Sequence, residues 1–297
     1  MIQQDLARKV FKELSGLGLS PPTTKNYCFK DSLKQCFIDS IGSSKITIGE
    51  KDNIAIEIKK EDFTLSLFTD FYFGCIRIRE QMKCVNSLIE ANTHVAWILT
   101  TAYYACYFMA VEIAKLHGRF IINFSKDEFV CIQSNSHNFV GSTVSQESNN
   151  YSFEVTVKRS KNYDDFLDVS FKKSGSKPHQ VVWVNLSSII TSLTIDDNLV
   201  HHQNLLREIC DPNKNRWKFP STVRNEWNYT YADYYSDRGV RLGDKFMSII
   251  KKCDSAMNWA NNRSIQPNEN NITASIAYLY HCLYQTIEKI DSRINQS

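Results

Sequence analysis

The period of apolar positions changes several times along this chain, and those changes divide it. Leu6, Val10, Phe11 and Leu14 recur at helical spacing over residues 3–15. A break rich in Gly, Ser and Pro follows over Gly18–Pro22. Leu33, Phe37 and Ile41 then predict a short helix over 31–41, with Asp31 as its cap. The period drops to two at Ile46/Ile48, Ile54/Ile56/Ile58 and Phe63/Leu65/Leu67, with turn residues at 49–53 and 59–62, which predicts a three-stranded meander. From Ile76 it returns to 3.6, with Ile78, Met82, Val85 and Ile89 on one stripe. After a short break at Ala91–Thr93, a long helix over about 94–117 carries Val95, Ile98, Leu99, Ala102, Tyr103, Cys106, Ala110 and Ile113, and Gly118 stops it.

Residues 119–184 turn β-like again. RFIINF, EFVCIQS, NYSFEVTVKRS, FLDVSFKK and QVVWVN are short alternating or apolar runs, separated by turns such as SNSHN and GSTVSQESNN. The rest is helical by pattern, over 186–193, 198–210, 221–235, 240–261 and 271–290. The chain therefore predicts an α+β protein in four parts. Residues 1–75 form a helix-plus-β-meander extension, 76–118 a helical hairpin, 119–183 an inserted β-rich subdomain, and 184–297 further helices that pack on the first hairpin. An insertion of this length is tolerable, because loop-closure cost grows only logarithmically.

Charge narrows the partners. Lys and Arg number 35 against 32 Asp and Glu, a net +3, so no one-sign field coats the molecule, although a local basic groove remains open. An apolar fraction of 42% with 23% charged residues excludes collagen, coiled coil and disorder. No run of 18 apolar residues occurs. Val95–Ala114 is interrupted by Thr100, Thr101 and Glu112 and is expected to be a core helix, with no membrane association. The first residues carry no secretory signal. Nine scattered cysteines without a C-x-x-C predict free thiols in a reducing cytoplasm. No metal-ligand cluster or dinucleotide fingerprint is present, so no cofactor is implied.

One resemblance carries function. The hairpin over 76–118 holds Ala102, Tyr103, Tyr104, Ala105, Cys106, Tyr107 and Phe108 after a polar break and before Gly118. RNEWNYTYADYY, from Arg224, supplies an Arg-polar pair in Arg224 and Asn225 and a trailing tyrosine in Tyr231. Together they resemble the HEPN superfamily of ribonucleases and toxins. The sequence departs from that family in carrying Tyr229 where the family has His. The resemblance implies a helical bundle acting as a homodimer, a metal-independent endoribonuclease with RNA as substrate, and service in prokaryotic toxin–antitoxin or anti-phage defence under a partner protein. It also places Arg224, Asn225, Tyr229 and Tyr231 in the catalytic site.

The chemistry fits in part. RNA cleavage without a metal needs a proton taken from the 2′-OH, a stabilised phosphorane and a proton given to the 5′-oxygen. Arg224 suits the second task. Tyr229 is a poor base at neutral pH, since the tyrosine reference pKa is about 10. An imidazole could come instead from His94, His117, His201, His202 or His281, of which His201 and His202 are nearest in sequence. On a continuous helix Arg224, Asn228 and Tyr231 share one face, with Asn225 and Tyr229 on the adjacent stripe. The stretch KNRWK adds Lys214, Arg216 and Lys218 around Trp217, a candidate grip on an RNA backbone together with Asn228. Each group also has a plain structural role open to it, Arg224 as an ion-pairing residue with Asp233, for example, and Tyr103 and Tyr104 as core. Two further functions stay open: a catalytically inactive HEPN-like module that binds nucleic acid or a partner protein, and an unrelated α+β binding protein.

Overall fold

A computed structural model describes residues 1–297 apart from 24–25, 50–52, 137, 140–149, 176, 213–215 and 297. The turn expected at GSTVSQESNN and the side chain of Lys214 lie outside the described residues. The chain forms two compact units. The first contains Met1–Lys9, Gly74–Ile113 and Val182–Asn295, and the second is built on Val10–Phe73 and Ala114–Val181. The protein is α+β.

The second unit is organised by one sheet. Its strands are β1 (Ser43–Ile48), β2 (Ile54–Lys59), β3 (Arg119–Ser125), β4 (Asn138–Phe139), β5 (Asn150–Arg159) and β6 (Phe166–Lys173). Their order is β3-β5-β6-β2-β1-β4, antiparallel except for the β1–β4 pair. The strands before and after the helical hairpin thus join edge to edge, with Ile56 opposite Val169. Period-two alternation buries Ile46, Ile56, Phe120, Phe153, Val155 and Phe171. Two short helices, α2 (Leu33–Ile38) and α5 (Lys126–Ser134), contribute aromatic rings to that core. Phe37 meets Phe171 edge-on at 5.0 Å, and Phe129 stacks on Tyr151 at 4.5 Å. The cap of α2 is Ser32, whose hydroxyl accepts the Gln35 N–H, and not Asp31.

Three expected strands are helices. The third strand of the meander is the start of α3 (Lys60–Glu90). Phe63, Leu67, Phe68, Phe71, Cys75 and Ile78 recur at helical intervals and are all buried, and Glu61 and Asp62 favour the helix N-terminus. EFVCIQS is α5, started by a reciprocal capping box between Ser125 and Glu128. QVVWVN lies in α6 (Pro178–Thr191), whose proline occupies the first turn, where its missing N–H costs nothing.

The first unit is helical. It takes the start of α1 (Ile2–Leu17), much of α3 and α4 (Val95–Leu116), then α6, α7 (Val200–Cys210), α8 (Pro220–Asn225), α9 (Asp237–Ile250), α10 (Cys253–Asn261) and α11 (Glu269–Gln296). α11 is buried at every position from Asn271 to Tyr280, as expected of a central helix. The helix expected over 240–261 is two helices, α9 and α10. The break between α3 and α4 forms where expected. Asn92 takes a left-handed φ of 50°, and the Thr93 N–H returns to the Leu88 carbonyl at 3.0 Å. α4 is long and apolar enough to cross a membrane by length and composition, but most of it is buried within the protein.

Candidate functional site

The segment 220–235 does not form one helix. α8 ends at Asn225, a π-helical turn spans Glu226–Thr230, and a 3₁₀ turn spans Ala232–Tyr235. Tyr231 sits between them in an extended conformation. In the wider turn the Tyr231 N–H reaches the Glu226 carbonyl five residues back at 3.1 Å. This overturns the two continuous stripes expected from α-helical spacing. Arg224 points inward, while Asn225, Tyr229 and Tyr231 are exposed. Two contacts anchor the turn. Trp227 is buried with its ring 4.7 Å from Tyr234. Glu226 takes both oxygens to Lys218 Nζ, at 2.7 and 2.8 Å. The Lys218 charge is thereby spent inside the segment, and of the expected basic grip Arg216 stands exposed.

Arg224 is 9% exposed. Among the described residues no carboxylate pairs with it, and its buried Nε donates to nothing. Asp233 pairs instead with Arg238 at 2.6 Å. Three tyrosine rings surround the guanidinium carbon, Tyr103 at 5.3 Å, Tyr104 at 5.4 Å and Tyr229 at 5.6 Å. The Ala-Tyr-Tyr-Ala run of α4 and the Arg of the later motif therefore meet in space. Burial pushes the Tyr103 phenol well above its ordinary pKa, with the Arg224 cation pulling the other way, so that hydroxyl stays protonated. Removing a cation from water costs several kcal/mol. Each of the three ring contacts returns about 0.5–2 kcal/mol, and among the described residues no carboxylate adds to them.

A second cluster adjoins the first. The Tyr235 hydroxyl donates to Asn228 Oδ1 at 3.4 Å. Burial and the neighbouring Tyr229 both raise the Tyr235 phenol above its ordinary value. The His94 ring stacks on Tyr235 at 5.6 Å, and Trp97, half exposed, meets Tyr235 edge-on at 5.7 Å. His94 Nδ1 accepts the Ala96 N–H at 3.2 Å, which puts the proton of the neutral ring on Nε2. That Nε2 is buried and makes no hydrogen bond among the described residues.

No protein-family model, curated protein or solved structure matches this chain.

The chemistry of the site thus rests on its own residues. Arg224, Tyr229 and the α4 tyrosines come together. Asn228 joins them through Tyr235, and Tyr231 packs on Tyr234 at 5.0 Å. The other histidines are engaged elsewhere. His201 Nε2 lies 3.0 Å from the Ala260 carbonyl, and His202 bridges Asn261 and Tyr278. His281 Nε2 lies 2.9 Å from the Ile250 carbonyl. Among the described residues, His94 is an imidazole placed beside this cluster, through its stack on Tyr235. Trp97 and Tyr235 had no signal in spacing alone, because their proximity depends on the fold of 226–235.

Proposed function

We propose that this protein is a HEPN-like, metal-independent endoribonuclease in which Arg224 holds the scissile phosphate. The observation that carries the proposal is a buried guanidinium without a carboxylate, set against an exposed tyrosine. A phosphate diester supplies the missing negative charge, and the planar fork of Arg224 matches its oxygens. In the reaction the 2′-hydroxyl gives its proton to solvent water as its oxygen attacks phosphorus, the bond to the 5′-oxygen breaks and that oxygen takes up a proton, and Arg224 neutralises the phosphorane between them. Tyr229 carries a phenolic O–H, a donor suited to delivering a proton to the leaving oxygen. The cytoplasmic setting read from the cysteines, and the homodimer and defence-system partner protein implied by the resemblance, belong to the same proposal.

A second function uses the same phosphate site without cleavage. The tyrosine at position 229, where the family carries His, favours it. Cleavage of a mixed RNA pool in EDTA separates the two. The proposal expects cutting by the wild type and a loss of about a hundredfold or more in Arg224→Ala. RNA binding that requires Arg224, without cutting, establishes the binding module. Absence of both binding and cutting overturns the phosphate site itself.

A further inference from the structure

The two edges of the sheet in the second unit differ. At one edge β4 is only two residues long, and β1 beside it carries a bulge between Ser43 and Lys45 and an exposed Lys45 side chain. Short strands, bulges and lysines keep a sheet edge from pairing with another chain. The other edge, β3, has none of them. It reads RFIINFS, with one charge at its start, and its register against β5 runs unbroken from Arg119↔Thr156 to Ser125↔Asn150.

The open side of β3 can be assigned residue by residue. The Val157 N–H reaches the Gly118 carbonyl at 2.9 Å, which fixes the phase of the ladder. In an antiparallel pair alternate residues turn both backbone groups toward the neighbour, and the rest turn both away. Phe120, Ile122 and Phe124 therefore face β5, while Arg119, Ile121, Asn123 and Ser125 face outward. The Ser125 N–H is already taken by Glu128 Oε2, at 2.7 Å, in the capping box of α5. Among the described residues no strand lies beyond β3, and the outward N–H and C=O groups of Arg119, Ile121 and Asn123 meet no partner. The Arg119 and Asn123 side chains are exposed, so this edge opens on solvent.

We infer that β3 is a self-association edge, on which a second copy of this chain pairs antiparallel through its own β3 and joins the two sheets into one. The match of β3 to itself favours this occupant. A two-fold axis beside Ile121 sets Ile121 against Ile121 of the second copy and Arg119 against Asn123, in both directions. Every open donor then meets an open acceptor. Shifting the register by one pair sets an open residue against Ser125, whose N–H is taken, or against His117, which lies outside the strand. No like charges meet. The two Ile121 side chains, half-buried in one copy, cover each other, and the Arg119 guanidinium comes opposite the Asn123 amide, whose Oδ1 accepts from the Ser152 hydroxyl and has a second lone pair to offer. This interface belongs to the second unit and does not depend on the phosphate site. The homodimer implied by the resemblance joins helical bundles instead.

Sedimentation velocity of the full chain over a range of concentrations gives the assembly and its dissociation constant. The Ile121 N–H faces outward, so Ile121→Pro removes an edge donor without touching the bonds to β5. Each dimer contains the change twice, and the variant is expected to raise the dissociation constant about a hundredfold or more. Ile121→Lys sets two like charges opposite each other and is expected to act in the same direction, so a folding defect in the proline variant does not decide the result. Amide exchange resolved by residue locates the interface. With rising concentration the Ile121 and Asn123 amides are expected to gain protection, while Phe120 and Ile122, bonded to β5 in either state, stay as they are. An assembly that both variants leave intact overturns the inference. A wild type that stays monomeric throughout the micromolar range also overturns it, and leaves the edge to a strand of another protein.

Discussion

Among the described residues of the helical unit two charged side chains are buried, Glu112 and Arg224, and the molecule treats them differently. Glu112 of α4 is fully buried, and Arg77 of α3 reaches it with Nη2 at 3.0 Å. Arg77 is itself 47% exposed and lays its guanidinium over the Phe108 ring at 4.2 Å. Gly74 makes room for the carboxylate, since a Cβ there would come within 2.3 Å of Glu112 Cδ. The charge comes from α4, and its counter-charge and the space for the carboxylate both come from α3. Arg224 is nearly as deep and has rings where Glu112 has a cation. A buried charge kept for architecture carries its partner with it. On the function proposed above, Arg224, which has tyrosine rings in place of a carboxylate, is kept for a phosphate that arrives from outside.

The largest effect is expected at the compensated site. Arg77→Ala removes the 3.0 Å ion pair of the buried Glu112 and is expected to cost about 3–5 kcal/mol in urea unfolding. A cost under about 1 kcal/mol would mean that Glu112 is satisfied without Arg77 and would weaken the contrast. A smaller effect concerns buried groups that give up their charge instead. Burial holds the His281 and His202 pKa values below their ordinary value, opposed by hydrogen bonds that favour the cation. The unfolded chain therefore binds more protons than the folded one near pH 6.5, and stability rises with pH through that range. It is fully present above about pH 7 and is lost as pH falls through 6.5 toward the lower folded values. Urea midpoints from pH 8 to pH 5 are expected to decline, with a shallower decline in His281→Gln. An unchanged slope in that variant would assign the acid sensitivity to other groups.

Much of the helical unit can be read from spacing. The long apolar stripe of α4, its polar break before Val95 and its stop at Gly118 all follow local rules. The Phe63–Leu67 run misleads because alternate apolar positions also satisfy part of a helical repeat. Leu65 is the residue that breaks the alternation, being only half-buried between Phe63 and Leu67. For α5 the Ser125–Glu128 capping box was written in the sequence and outweighs the strand-like run after it. The union of β2 with β6 could not be read, because nothing local couples residues 54–59 to 166–173. At the site, Arg224 and Tyr229 are visible as a motif, but the π-helical turn decides that one is buried and the other exposed. That turn depends on the Lys218–Glu226 pair and on Trp227 against Tyr234, contacts made only once the segment is folded.

The central claim is that Arg224 is a cation held ready for an RNA phosphate. Urea unfolding of the wild type and Arg224→Met, each with and without a saturating non-cleavable single strand, tests it most directly. Without RNA, Arg224→Met is expected to be as stable as the wild type or more so, because a well-packed apolar side chain removes an uncompensated charge. With RNA at 100 times its dissociation constant, the wild type is expected to gain about 2.7 kcal/mol and the variant nothing. An Arg224→Met protein that is several kcal/mol less stable without RNA, or that gains as much from RNA as the wild type, would contradict the account.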